Sequence, residues 1–132
     1  MPFRILLVDG SEEIRQAILA KFAQDSRFVV VGEASNGLLA LKNANDLQPD
    51  LVVMDVDLPG LNGIEVARQL RYVAPDARVL FFTGNKSLEI ARKAVVVGAL
   101  GYLLKTHVAD LVDAADAALR NMRFVSGRTA KF

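Results

Sequence analysis

Five short apolar runs recur along the chain, each followed by a stretch with helical spacing. The runs are FRILLVD (3–9), FVVVGEA (28–34), DLVVMD (50–55), ARVLFFTG (77–84) and LGYLLK (100–105). They are nearly continuous rather than alternating, as expected of strands covered on both faces of a sheet. Between the first two, Ile14, Ala17, Ile18 and Phe22 share a helical face from Ser11 to about Gln24. Asn36-Gly37 marks a turn, and Leu38, Leu41 and Ala44 predict a helix ending before Pro49. A third helix is predicted from about Ile64 to Val73, stopped by Pro75, and a fourth over 87–97, stopped by Gly98. Val108, Leu111, Val112, Ala115, Leu119 and Met122 keep a three-four spacing through a fifth. Five β-then-α units specify an α/β fold with a parallel, doubly wound sheet.

The 132 residues fit one domain, taken as 1–121. Residues 122–132 carry Arg123, Arg128 and Lys131 but no acid, and read as a tail or linker stub with no structure of its own. Hydrophobic residues make up 52% of the chain, enough for a real core. A net charge of +1, spread along the chain, argues against a nucleic-acid-binding face. The absence of cysteine excludes disulfides and thiolate chemistry. No apolar run is long enough to span a bilayer. MPFRILLVDG reads as a first strand rather than a signal peptide, so a cytoplasmic location is expected.

Ligands of open parallel sheets bind beyond the carboxyl ends of the strands. Those ends carry Asp9, Asp55, Thr83 and Lys105. If strands one and three are neighbours, two carboxylates about 4 Å apart repel by about 4 kcal/mol at an effective dielectric near 20. A proton, Lys105 or a divalent cation offsets that. Hard oxygen ligands at an open rim favour Mg²⁺ shared with a phosphate. Asp55 then acts as a nucleophile towards a phosphoryl group, Lys105 neutralises its oxygens and Thr83 donates a hydrogen bond. Taken singly, each residue has a plainer explanation. An Asp at a strand end caps or turns, a Thr before Gly serves a turn, and a Lys is a solvated surface charge. His107, the only histidine, is assigned a surface or capping role. Four such residues on four strand ends favour a shared pocket.

The pieces ILLVD, VVMDVDLPGLNG, FFTG and GYLLK together resemble the receiver domain of two-component response regulators, over residues 3 to about 121. GALGYLLK and the tail resemble the branch that often carries a C-terminal helix-turn-helix output domain. The resemblance implies a flavodoxin-like (βα)5 fold with strand order 2-1-3-4-5. It makes Asp55 the phosphoacceptor and Asp9 an acid-pocket residue that holds Mg²⁺. The backbone carbonyl of Asp57 becomes a further metal ligand, Lys105 pairs with the phosphoryl group, and Thr83 and Tyr102 form a switch pair. Expected partners are a histidine kinase or phosphotransfer protein, with slow self-dephosphorylation rather than enzymatic turnover. No nucleic acid or membrane is expected to contact this chain.

One departure matters. The family usually has two acids in a row at the end of strand one, and here the second position is Gly10. Losing that direct ligand costs on the order of one to a few kcal/mol, or tenfold or more in Mg²⁺ affinity. Glu12 and Glu13 are near in sequence but suit the dipole of the first helix. Thr106 follows Lys105 where many receivers have proline, and is expected to cap the last helix. The weakened pocket keeps a second reading open, a pseudo-receiver that binds partners without phosphorylation. A third, more remote one is a haloacid-dehalogenase-type phosphatase, with Asp55 as nucleophile and Asp57 as general acid. Its motif usually lies near the N-terminus, its downstream acid pair is missing, and the chain has no room for a cap. The moving surface is expected to be helix 4, strand 5 and helix 5. In AVVVG (94–98) three successive valines cannot all face inward. A homodimer through that surface, or through helices 1 and 5, is expected to be the output contact.

Overall fold

The computed structural model describes residues 1–125. Six parallel strands form one sheet in the order β2-β1-β3-β4-β5-β6. They are β1 (Phe3–Val8), β2 (Phe28–Ala34), β3 (Leu51–Met54), β4 (Arg78–Thr83), β5 (Gly101–Leu104) and β6 (Phe124–Val125). The helices are α1 (Glu12–Ala23), α2 (Gly37–Leu47), α3 (Gly63–Val73), α4 (Leu88–Val96) and α5 (Leu111–Leu119). The five predicted units are present, and the first five strands follow the order 2-1-3-4-5.

Alternation along each strand divides the core in two. Ile5, Leu7, Leu51, Val53, Leu80 and Phe82 face α1 and α5, where they meet Ile18, Phe22 and Leu111. Leu6, Val8, Val52, Met54 and Phe81 face the other way, toward Ala40 of α2, Val66 and Leu70 of α3 and Ala94 of α4. Both faces are therefore dry, which is why the strands read as unbroken apolar runs.

Four helices start alike. The side chains of Ser11, Asn36, Asn62 and Ser87 accept hydrogen bonds from the backbone N–H of Ile14, Leu39, Glu65 and Ile90. Each such cap stabilises its helix by about 1 kcal/mol. The fifth start differs from expectation. Lys105–Asp110 forms a 3-10 turn, His107 leaves helical geometry, and α5 begins only at Leu111 with no side-chain cap. Thr106 does not cap α5; its hydroxyl lies 3.2 Å from His107 Nδ1.

The C-terminal segment also differs. Asn121 adopts a left-handed φ of 60°. Its N–H donates to the Ala118 carbonyl, while Met122 N–H donates to that of Ala117. This paired closure ends α5 at Leu119, before the predicted Met122. The chain then turns back, and Phe124 N–H donates to the Leu100 carbonyl. Phe124 and Val125 pair with Gly101 and Tyr102 as a sixth strand, where a structureless tail was expected. The remainder of that tail, 126–132, lies outside the described residues. No helix among the described residues is long and apolar enough to cross a membrane.

The strand order places the site. β1 pairs with β2 on one side and β3 on the other, so successive crossovers leave it in opposite directions. A crevice opens at the carboxyl ends there. Val8 pairs with Met54, so Asp9 and Asp55 are level, and Asp55 N–H donates to the Val8 carbonyl at 2.9 Å. Gly63 locks the loop that follows. Its N–H donates to the Val56 carbonyl at 2.7 Å. A Cβ there would overlap the Asp55 carbonyl oxygen and sit 2.9 Å from Val56 Cα. Gly63→Ala is therefore expected to destabilise the fold by about 1–3 kcal/mol. Gly84→Ala, where a Cβ meets nothing within 4 Å, should stay within about 0.5 kcal/mol of wild type. Urea unfolding of both variants checks the contrast.

Candidate functional site

Asp9 and Asp55 project from adjacent strand ends and are almost fully buried, at 2% and 8% exposure. Lys105, the first residue after β5, reaches across to both. Its ammonium lies 2.8 Å from Asp9 Oδ2 and 3.0 Å from Asp55 Oδ2. The contact to Asp55 is a directed hydrogen bond. Asp9 Oδ2 is close enough for an ion pair, yet is buried without a well-aligned donor. Burial alone pushes the Lys105 pKa down. The hydrogen bonds and charges of Asp9 and Asp55 outweigh that, and the net shift is upward.

The remaining carboxylate oxygens are held by the backbone. Ser11 N–H donates to Asp9 Oδ1 at 2.9 Å, and Asp57 N–H donates to Asp55 Oδ1 at 3.2 Å. Asp57 itself is exposed. Two residues beyond each acid, the chain thus folds an N–H back onto it, which orients the carboxylate toward the rim.

Thr83 and Tyr102 belong to a neighbouring network. Thr83 is fully buried at the end of β4, and its hydroxyl accepts from Asn85 N–H at 3.2 Å. The Tyr102 hydroxyl donates to the Asn85 carbonyl at 2.8 Å. The β4–α4 loop therefore links the two side chains through one peptide-bearing residue. Tyr102 is only 5% exposed, and its ring lies 6.3 Å from that of Phe81. Burial first, then the charges of Asp57 and Asp55, push its pKa up to about 12.

Of the predicted residues, Asp9, Asp55 and Lys105 meet in one ion cluster. Thr83 and Tyr102 are joined to each other through Asn85. Asp57 contributes its N–H to Asp55. Gly10 lies against the β3–α3 loop, and a Cβ there would press on Pro59 Cδ at 3.3 Å. Glu12 and Glu13 are exposed in the first turn of α1. Among the described residues, no group of three carboxylate or histidine side chains gathers to hold a metal. Sequence reasoning missed three contributors. Arg15 donates to the Asp9 carbonyl, Glu33 pairs with Arg15, and Asn85 ties the loop. Arg15 and Glu33 are 18 positions apart on different elements, so no local spacing reveals them.

Comparison with known proteins places the chain in a family. The sequence pattern of the response regulator receiver domain matches residues 5–116. The chain is 33% identical over 129 residues to the response regulator GacA of Pseudomonas viridiflava, covering 97% of this chain and 60% of that one. It is 36% identical over 104 residues to the nitrate/nitrite response regulator NarL of Escherichia coli K12, covering 79% of this chain and 48% of that one. The chain thus spans about half to three-fifths of these relatives. A LuxR-family two-component response regulator from Aurantimonas sp. SI85-9A1 superposes with a TM-score of 0.90 at 36% identity, covering 96% of this chain and 91% of that one. A match this broad, on a sheet whose switch point carries the paired acids and their lysine, shows that the chain belongs to the response regulator receiver domain family.

Proposed function

We propose that Asp55 accepts a phosphoryl group from the phosphohistidine of a histidine kinase or phosphotransfer protein. A carboxylate oxygen of Asp55 attacks phosphorus, the P–N bond breaks, and the departing imidazole takes up a proton. The observation that carries this reading is the shared ammonium. Lys105 bridges Asp9 and Asp55 at the sheet's switch point, where an added phosphate oxygen would meet a ready cation.

The donor set also fits a hard divalent ion. Asp9 Oδ2 is a buried carboxylate oxygen without an aligned donor, beside a second carboxylate. Asp9, Asp55 and the Asp57 carbonyl would hold Mg²⁺. The ion would supply charge neutralisation for the transferred group. With Gly10 in place of a second acid, the affinity is weakened by about tenfold or more. The switch follows from the Asn85 link. Thr83 moves toward the new phosphate, the Asn85 loop follows, and Tyr102 with it. The exposed Leu88 and Val96 of α4 lie on the surface that responds. Homodimerisation through α4, β5 and α5, or through α1 and α5, is the proposed output. Domain limits of 1–121, a cytoplasmic location and the absence of direct nucleic-acid contact belong to the same proposal.

A pseudo-receiver is the second reading, favoured by one observation. Lys105 contacts both acids and offsets their charge from within the chain itself. The phosphatase alternative loses its footing, because Asp57 faces solvent and only its N–H engages Asp55.

Three measurements test these points. Acetyl phosphate with Mg²⁺ should add one phosphoryl mass to wild type and none to Asp55→Asn, read by intact mass spectrometry. No addition from acetyl phosphate or from a phosphohistidine donor would favour the pseudo-receiver. Gly10→Asp should lower the Mg²⁺ concentration for half-maximal phosphorylation by about tenfold, less any loss from pressing on Pro59. Lys105→Met should cost about 1–3 kcal/mol at pH 7, because it leaves two buried acids uncompensated. Because the folded-state pKa of Lys105 is raised, its stabilisation is whole below about pH 10.4 and is lost as pH rises through the folded value. The gap between wild type and Lys105→Met in urea unfolding should therefore narrow at strongly alkaline pH.

A further inference from the structure

Arg15 touches none of the carboxylate, hydroxyl or ammonium groups assigned to the chemistry, yet among the described residues it is the most enclosed cationic side chain in an ion pair, at 14% exposure. It lies in the first half of α1. One guanidinium nitrogen, Nη1, donates to the Asp9 backbone carbonyl at 2.6 Å. Its Nε donates to Glu33 Oε1 at 2.9 Å, near the carboxyl end of β2. Arg15 therefore fastens three segments at once: the β1–α1 turn, α1 and β2.

The carbonyl it holds belongs to the peptide between Asp9 and Gly10. Gly10 has no Cβ, so this peptide turns more freely than it would before any other residue. Rotation there moves Ser11 N–H, the donor that orients Asp9 Oδ1. The residue that stands where a second acid would be therefore also leaves the turn carrying Asp9 without a side chain to restrict it. We propose that Arg15, oriented by Glu33, is a positioning residue that fixes the Asp9–Gly10 peptide and so sets the direction of the Asp9 carboxylate. The guanidinium is suited to the task. Its planar fork satisfies a carbonyl and a carboxylate in one geometry. A lysine at the same place reaches one partner as a point charge.

This role deepens the proposed phosphoacceptor site, and the test separates the two. Arg15→Lys and Glu33→Gln are compared with wild type by amide hydrogen exchange of the metal-free protein, by Mg²⁺ titration followed on backbone amide resonances, and by thermal unfolding. Ser11 N–H should lose about tenfold in exchange protection in both variants, while amides at the centre of β3 keep theirs. The apparent Mg²⁺ dissociation constant should rise by about tenfold, the lower end of the effect of removing a group that orients a ligand. Arg15→Ala is expected to show the same changes with a lower Tm. Unchanged Ser11 protection in folded Arg15→Lys and Glu33→Gln would overturn the positioning role, whatever the protein does with phosphate. A protection loss spread evenly over the sheet would also overturn it, since that is the mark of a merely structural contact. If wild type shows no Mg²⁺-dependent resonance shift, the metal reading fails, and Ser11 protection alone decides the case for Arg15.

Discussion

One ammonium holds the rim of the sheet together. The topology forces Asp9 and Asp55 onto adjacent strand ends, because β1 and β3 pair in register up to Val8 and Met54. Their mutual repulsion would open the crevice. Lys105 closes it from β5, which lies two strands from β3, by spanning β4 with an extended side chain. A lysine can do this because its stem lies along apolar surface while its charge stays at the rim. From Lys105 the chain leaves β5 in a 3-10 turn, and α5 starts six residues later at Leu111.

The rim is stiff on one side and loosely held on the other. α1 and α5 pack on the face that buries Phe22, Leu111 and a row of alanines. On the opposite face, α4 buries only Ala94 within its length, and Leu88 and Val96 are exposed. Few buried apolar contacts mean a low local opening free energy. The Asn85 loop feeds straight into this helix and is tied to Thr83 and Tyr102 by single hydrogen bonds. A change of charge at Asp55 can shift only an equilibrium that exists already. The loop and α4 are the part of the molecule where the packing leaves room for one. β6 adds a further link, since Val125 pairs with Tyr102 along the edge of β5.

The sheet was legible because its strands are dry on both faces, and continuous apolar runs leave little ambiguity when turn residues separate them. The site was legible for a topological reason. A parallel sheet sends every strand's end to one edge, so reading the terminal residues of four strands already collects Asp9, Asp55, Thr83 and Lys105. What the pattern hid depends on contacts distant in sequence or on turn geometry. Phe124-Val125 is too short to stand out, and it becomes a strand only because Asn121 reverses the chain beside β5. Thr106 looked like a cap, but the 3-10 turn takes the chain past it before α5 begins. Asn36 looked like a turn former and is a helix cap, a second use of the same short side chain. Arg15 and Glu33 are ordinary charges of an amphipathic helix and a strand until the fold brings them together.

Charge counting shows what Gly10 changes. Asp9, Asp55 and Lys105 together carry one net negative charge. A second acid at position 10 would double it. A divalent cation entering the pocket as it stands leaves one net positive charge, where the doubled pocket would become neutral. Under the proposed chemistry, Gly10 therefore weakens the hold of the resting site on Mg²⁺. Under the proposed chemistry the balance reverses. An acyl phosphate on Asp55 carries up to about two negative charges in place of one. The pocket then holds two net negative charges, which one divalent cation cancels, whereas a pocket with the second acid would stay negative. On that charge count, glycine at position 10 couples the proposed metal site to the proposed phosphoryl group, while Lys105 bridges the two acids.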